Sequence, residues 1–183
     1  MKGRVACELT TAADELLLAE AVCTGVLHGL TSAELAGLLS LFVAKGKVPK
    51  EPYQLTQPLQ AAKERLNELA INTTQAQVEA GCLELGPDGE AGHVKFALNE
   101  CMIAAAHAWA GGADFATLRE CTMLQEGDIV RVLSRVEELA KEVKFASWLL
   151  GDAQLGKTSE AVLSGIKRDV AAVPSLYTDG LER

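Results

Sequence analysis

Aromatic residues are scarce in this chain: two Trp, two Tyr and four Phe among 183 residues, or 4%. That poverty disfavours a β-sandwich, whose core leans on aromatic and β-branched alternation. Five Pro and 16 Gly are too few for a disordered chain. Positive charge is short as well, since 17 Lys and Arg face 25 Asp and Glu and leave a net charge of −8. Such a surface repels nucleic acid and acidic membranes as a whole, so any contact with RNA or DNA has to be local or borrowed from a larger basic protein. The five cysteines (7, 23, 82, 101 and 121) include no CxxC pair, and their number is odd. A disulfide framework and a zinc site are therefore not expected, and the usage fits a reducing cytosol or nucleus. No long hydrophobic run is present: Leu16–Ala19 is far too short to span a bilayer, and no signal peptide is visible.

Apolar residues make up 49% of the chain, with Ala and Leu dominant, and 183 residues suit one domain with its own core. Thr11 to Asp14 reads as a capping pattern for a helix over about 12–29, stopped by Gly29. Thr31 and Glu34 form a capping box that opens a helix to about Ala44. Amphipathic spacing predicts helices over about 56–79, 94–110, 115–121, 128–150 and 159–173, with Asp114 capping the fifth of these seven segments after the Gly111-Gly112 stop and Pro174 following the last. The loops near 46–56 and 81–93 are expected to be mobile. The class is all-α, a compact bundle of about seven helices that includes a helix–turn–helix-like pair at 114–150.

Residues 151–158, Gly-Asp-Ala-Gln-Leu-Gly-Lys-Thr, complete the GxxxxGK[ST] pattern of a nucleotide-binding loop. The pattern needs a strand before it and a helix after it, so that backbone N–H groups converge on phosphates. Here the preceding stretch has apolar residues at 139, 143, 146 and 150, which is helical spacing, and no strand ending in an acidic residue for Mg²⁺ is apparent. Gly151, Gly156, Lys157 and Thr158 are accordingly read as a chance match in a helix-to-helix turn, with Lys157 a surface lysine, and no cofactor is expected in this chain.

Arg131 and Arg135 lie at i and i+4 and share a helix face. Like charges so placed cost a few tenths of a kcal/mol without an anionic partner. They could present guanidiniums to phosphates or bases, or form a solvated face partly neutralised by Glu138 and Glu142. The negative surroundings speak against a DNA-reading helix–turn–helix. Asp14 and Glu15 suit the first turn of a helix. His28, His93 and His107 are scattered, and Trp109 and Trp148 read as core anchors. No set of nucleophile, base and orienting group assembles, and no metal site is expected.

Several stretches together resemble the C-terminal helical domain of exosome-associated RNA helicases, the DSHCT domain. They are Lys2–Glu8 with Asp14–Glu20, Ala36–Ser40, Ala108–Gly112 with Phe115, Glu126–Arg131 leading to Arg135–Leu139, Lys167–Val170 and Ser175–Tyr177. The family has two branches, a nuclear helicase of the TRAMP complex and a cytoplasmic superkiller-type helicase. Ala76–Gly81 and the ending Ser175–Thr178 look more like the superkiller branch, which implies a cytoplasmic location, with a nuclear one as the alternative. The resemblance implies a non-catalytic bundle, excised from an ATP-dependent 3′-to-5′ helicase, that packs on two RecA-like motor domains and lines the path of single-stranded RNA toward the exosome. ATP and Mg²⁺ would belong to those motor domains. By motif, Glu15 and Arg135 match positions implicated in contacting RNA; Arg131 is added from helix geometry. The superkiller complex subunits and the RNA exosome are the implied partners, and no membrane is. The alternative is an interaction scaffold with little direct RNA contact.

Overall fold

The computed structural model describes residues 2–12, 14–50, 53–82 and 98–168. Among these are α1 (Lys2–Ala6), α2 (Glu15–Cys23), α3 (Ser32–Ser40), α4 (Gln57–Glu79), α5 (Ile103–Ala110), α6 (Phe115–Glu120), α7 (Glu126–Leu150) and α8 (Ala153–Ile166), with a 3₁₀ turn at Glu100–Met102 before α5. No strand occurs among the described residues. The fold is all-α, and α2–α8 supply the seven principal helices; α1 is a five-residue addition that the periodicity did not announce.

Local chemistry sets most helix starts. Thr31 and Glu34 complete their capping box at α3, Thr56 accepts from Leu59 N–H at α4, and Asp114 accepts from Thr117 N–H at 2.8 Å at α6. The cap of α2 is Asp14 rather than Thr11: its Oδ1 takes Leu17 N–H at 2.9 Å. This helix also stops earlier than expected, at Cys23. Val26 N–H reaches back to Ala21 O and Gly25 N–H to Val22 O, so the paired bonds of a Schellman end form at Gly25 and not at Gly29. Likewise α3 ends at Ser40 rather than Ala44.

Of the helix expected from 94, residues 94–97 lie outside the described ones; 98 and 99 are not helical, and the described part opens with the 3₁₀ turn. Asn99 explains the late start. Its side chain accepts from Cys101 N–H and donates to Gly46 O, while its own N–H bonds Leu41 O, which ties this point to the end of α3. The 81–93 loop lies outside the described residues from 83 onward, and so does Pro174.

Helix α3 is the centre. All residues from Glu34 to Ser40 are buried, and α3 packs against α4, α5, α7 and α8. A helix apolar on every side is a core helix, and each fully buried Leu contributes about 1.5–3 kcal/mol. Helix α7 covers it with Ile129, Leu133, Val136, Leu139 and Val143, all fully buried, and α8 packs lengthwise on α7. The far end of α8 is fastened to the α5–α6 junction. Buried Trp109 donates its indole N–H to Ile166 O at 3.0 Å, and the Arg168 guanidinium lies 3.8 Å above that ring and donates to Trp109 O and Ala113 O. The Lys167–Val170 stretch of the resemblance thus includes a structural arginine.

Candidate nucleic-acid interface

The nucleotide-loop pattern dissolves in the structure. Gly151, at φ 73°, closes α7, and Asp152 caps α8, which starts at Ala153 rather than near Ser159. Only Gly151 and Asp152 form a turn; Gly156, Lys157 and Thr158 lie inside the helix. The Asp152 carboxylate takes Leu155 N–H at 3.0 Å, and its carbonyl takes Gly156 N–H. An anionic side chain thus occupies the helix N-terminus where a phosphate would have to sit. Gly156 has a packing duty, because a Cβ there would lie 2.9 Å from Ser147 Oγ on α7. Lys157 is exposed. These residues do not fit ATP or Mg²⁺. Among the described residues no group of three His, Cys, Asp or Glu could hold a metal, and no helix is long and apolar enough to cross a membrane.

The arginines sit on α7. Its apolar residues recur with the helical period and are drawn to the core, which turns 131, 135, 138, 142 and 145 outward as one ridge. Arg131 is exposed and bonds Asp128 Oδ1 at 2.7 Å one turn back. Arg135 is exposed, and among the described residues it makes no ion pair. The expected neutralisation by Glu142 does not occur, because that carboxylate is already engaged. It takes the Thr10 hydroxyl at 2.9 Å, the Thr11 hydroxyl at 2.8 Å and the Thr11 N–H at 3.0 Å. Glu138 is exposed and makes no ion pair among the described residues.

That same engagement ties the segment before Glu15 to α7. Thr10 and Thr11 precede Glu15, the exposed first residue of α2. Glu142 therefore pins the segment carrying Glu15 to α7, two turns or about 10 Å along the axis from Arg135. Asp14 beside it is buried, 3% exposed, and serves as cap rather than contact.

Sequence reading missed the aromatic end of the ridge. Trp109 is the core anchor expected, but Trp148 is 71% exposed and Phe145 43%, and the two rings lie 5.5 Å apart. Phase is the signal that could have found them: 145 and 148 fall on the side of the helix away from the buried positions 139, 143 and 146. It also missed the link between exposed His28 Nε2 and Asp152 Oδ2, at 2.5 Å, which couples the α2–α3 turn to the cap of α8. His107 is half-buried, with its ring 6.4 Å from that of Tyr53.

The DSHCT (NUC185) domain model matches residues 1–173. This chain belongs to the DSHCT domain family. Over nearly its whole length the DSHCT domain is similar to segments of much longer helicases. It is 34% identical over 182 residues to the DExH-box ATP-dependent RNA helicase DExH11 of Arabidopsis thaliana, covering 99% of this chain and 13% of that protein. It is 34% identical over 180 residues to the exosome RNA helicase MTR4 of Mus musculus, covering 97% of this chain and 16% of that one. Against the antiviral helicase SKI2 of Saccharomyces cerevisiae the identity is 33% over 187 residues, covering 97% and 14%. The chain therefore spans about one seventh of the length of these relatives, and identity does not separate the two branches.

Proposed function

We propose that this DSHCT domain is a non-catalytic accessory domain of an ATP-dependent 3′-to-5′ RNA helicase that feeds RNA to the exosome. In this reading the outer ridge of α7 borders the RNA path beside two RecA-like motor domains, which hold ATP and Mg²⁺. Arg135 and Glu15 contact the strand, and Arg131 adds charge once Asp128 yields it. The observation that carries the reading is the guanidinium of Arg135, which makes no ion pair among the described residues, on an exposed ridge, in a family whose relatives are RNA helicases. A free guanidinium offers bidentate donors to phosphate, at no cost in breaking an internal ion pair. The net charge of −8 is no obstacle when the motor domains supply most of the attraction. We place the parent protein in the superkiller branch, with superkiller subunits and the exosome as partners and a cytoplasmic location; the nuclear branch is the alternative.

One feature favours a scaffold reading instead: an apolar groove of about 430 Å³ between α2 and α4, with exposed Leu16 and buried Thr73 on its walls. The two readings separate on Arg135→Glu in the intact helicase. RNA guidance predicts a severalfold loss of RNA-stimulated ATPase with the RNA-free rate unchanged. Wild-type stimulation and unwinding would support the scaffold.

A further inference from the structure

The aromatic pair at the far end of α7 takes no part in the core. Phe145 is 43% and Trp148 71% exposed, although residues of this size normally bury most of their surface. The rings stand one helical turn apart with centroids 5.5 Å apart and planes inclined by 32°. They make an open ledge rather than the perpendicular contact seen between Trp109 and Phe115, whose planes meet at 88°. Phe145 continues the ridge of Arg135 ten residues on, about 15 Å along the axis. Two flexible cations precede the rings, each about one helical turn before one of them. Lys141 bonds Glu137 at 2.7 Å and Lys144 pairs with Glu160, and both lysines are about half exposed. Exposed pairs of this kind contribute little, so their ammonium groups can be exchanged for phosphate.

A protein-binding hot spot draws its strength from an apolar surround that excludes water. Here the rings stand on a convex helix among charged neighbours. Flat rings with a mobile cation one turn before each, on an exposed helix face, suit the bases and phosphates of a single strand, since every base has a face to stack and every linkage a charge. We propose that Phe145 and Trp148 form a nucleobase-stacking ledge for single-stranded RNA, continuing the path that passes Arg135. This rests on the RNA-guiding reading above.

The experiment titrates a short oligouridylate into the chain at low ionic strength, with an abasic oligonucleotide of equal length as second probe. Of the two Trp, Trp109 is 1% exposed, so quenching by RNA reports Trp148. The expected result is quenching of Trp148 and tighter binding of oligouridylate than of the abasic strand. Trp148→Ala weakens oligouridylate roughly tenfold, leaves abasic binding and the melting temperature unchanged, and so abolishes the preference. Trp148→Phe, which keeps a ring, retains it. Arg135→Glu weakens both probes. If Arg135→Glu weakens both while wild type and Trp148→Ala bind the two strands alike, the ledge is overturned and RNA guidance stands; a protein-contact role for the rings gives this result. If Arg135→Glu also changes nothing, both are overturned.

Discussion

Glu142 accepts from two hydroxyls and from the Thr11 N–H, so its removal strands a partly buried backbone donor. Glu142→Ala is expected to cost about 1–3 kcal/mol in urea unfolding. Arg135→Ala, seven residues away on the same ridge, is expected to stay within about 0.5 kcal/mol, because the side chain is exposed and makes no ion pair among the described residues. Equal effects on stability would refute this division between an anchoring carboxylate and a free guanidinium. Two other carboxylates set the pH response. Burial pushes Glu34 up, but the Thr56 hydroxyl and the N–H and hydroxyl of Thr31 outweigh it and hold the group below its ordinary 4.5. The Leu155 N–H, aided by His28, holds Asp152 below 3.8. A depressed carboxylate stabilises the fold above its ordinary value, and the unfolded chain takes up protons first as pH falls. The melting temperature should therefore be level from neutral pH down to about 5 and decline below it, with Glu34→Gln flattening part of the decline. A melting temperature that is flat or rises below pH 5 would be incompatible with these bonds.

At the scale of the element, α8 decides the fate of the nucleotide-loop pattern. Its N-terminus is capped by Asp152 and its second turn lies against Ser147, so nothing is left open for phosphates. The chain is expected not to bind ATP in the presence of Mg²⁺. Micromolar affinity by calorimetry, lost in Lys157→Ala, would contradict the assignment. The helix starts were legible where the signal is local. Thr31, Thr56 and Asp114 cap within three residues, and sequence shows that spacing directly. The ends of α2 and α8 were misread for a matching reason. Gly25 and Asp152 each had a nearby competitor, Gly29 and Thr158, and only the backbone bonds decide between them. What sequence could not show is contact across the chain. Glu142 meets Thr11 over 131 positions and Asp152 meets His28 over 124, and no periodicity carries such pairings. The exposed face of Trp148 was hidden by the habit of counting every Trp as core, although its phase on α7 disagreed.

For the whole molecule, a buried central helix packed against α4, α5, α7 and α8 gives one shared core, and the long outer ridge of α7 is the surface that this core holds in place. With a net charge of −8, the domain has little long-range pull on RNA of its own. Its value in a helicase would lie in position: a guanidinium with no ion pair among the described residues, a tethered acidic segment and an aromatic end set along about 20 Å of helix. Photo-crosslinking of RNA carrying 4-thiouridine to the proposed parent helicase, followed by mapping of the linked peptides, tests that placement directly. The account predicts crosslinks within residues 126–150, diminished in Arg135→Glu; crosslinks confined to the motor domains, with none in α7, would contradict it.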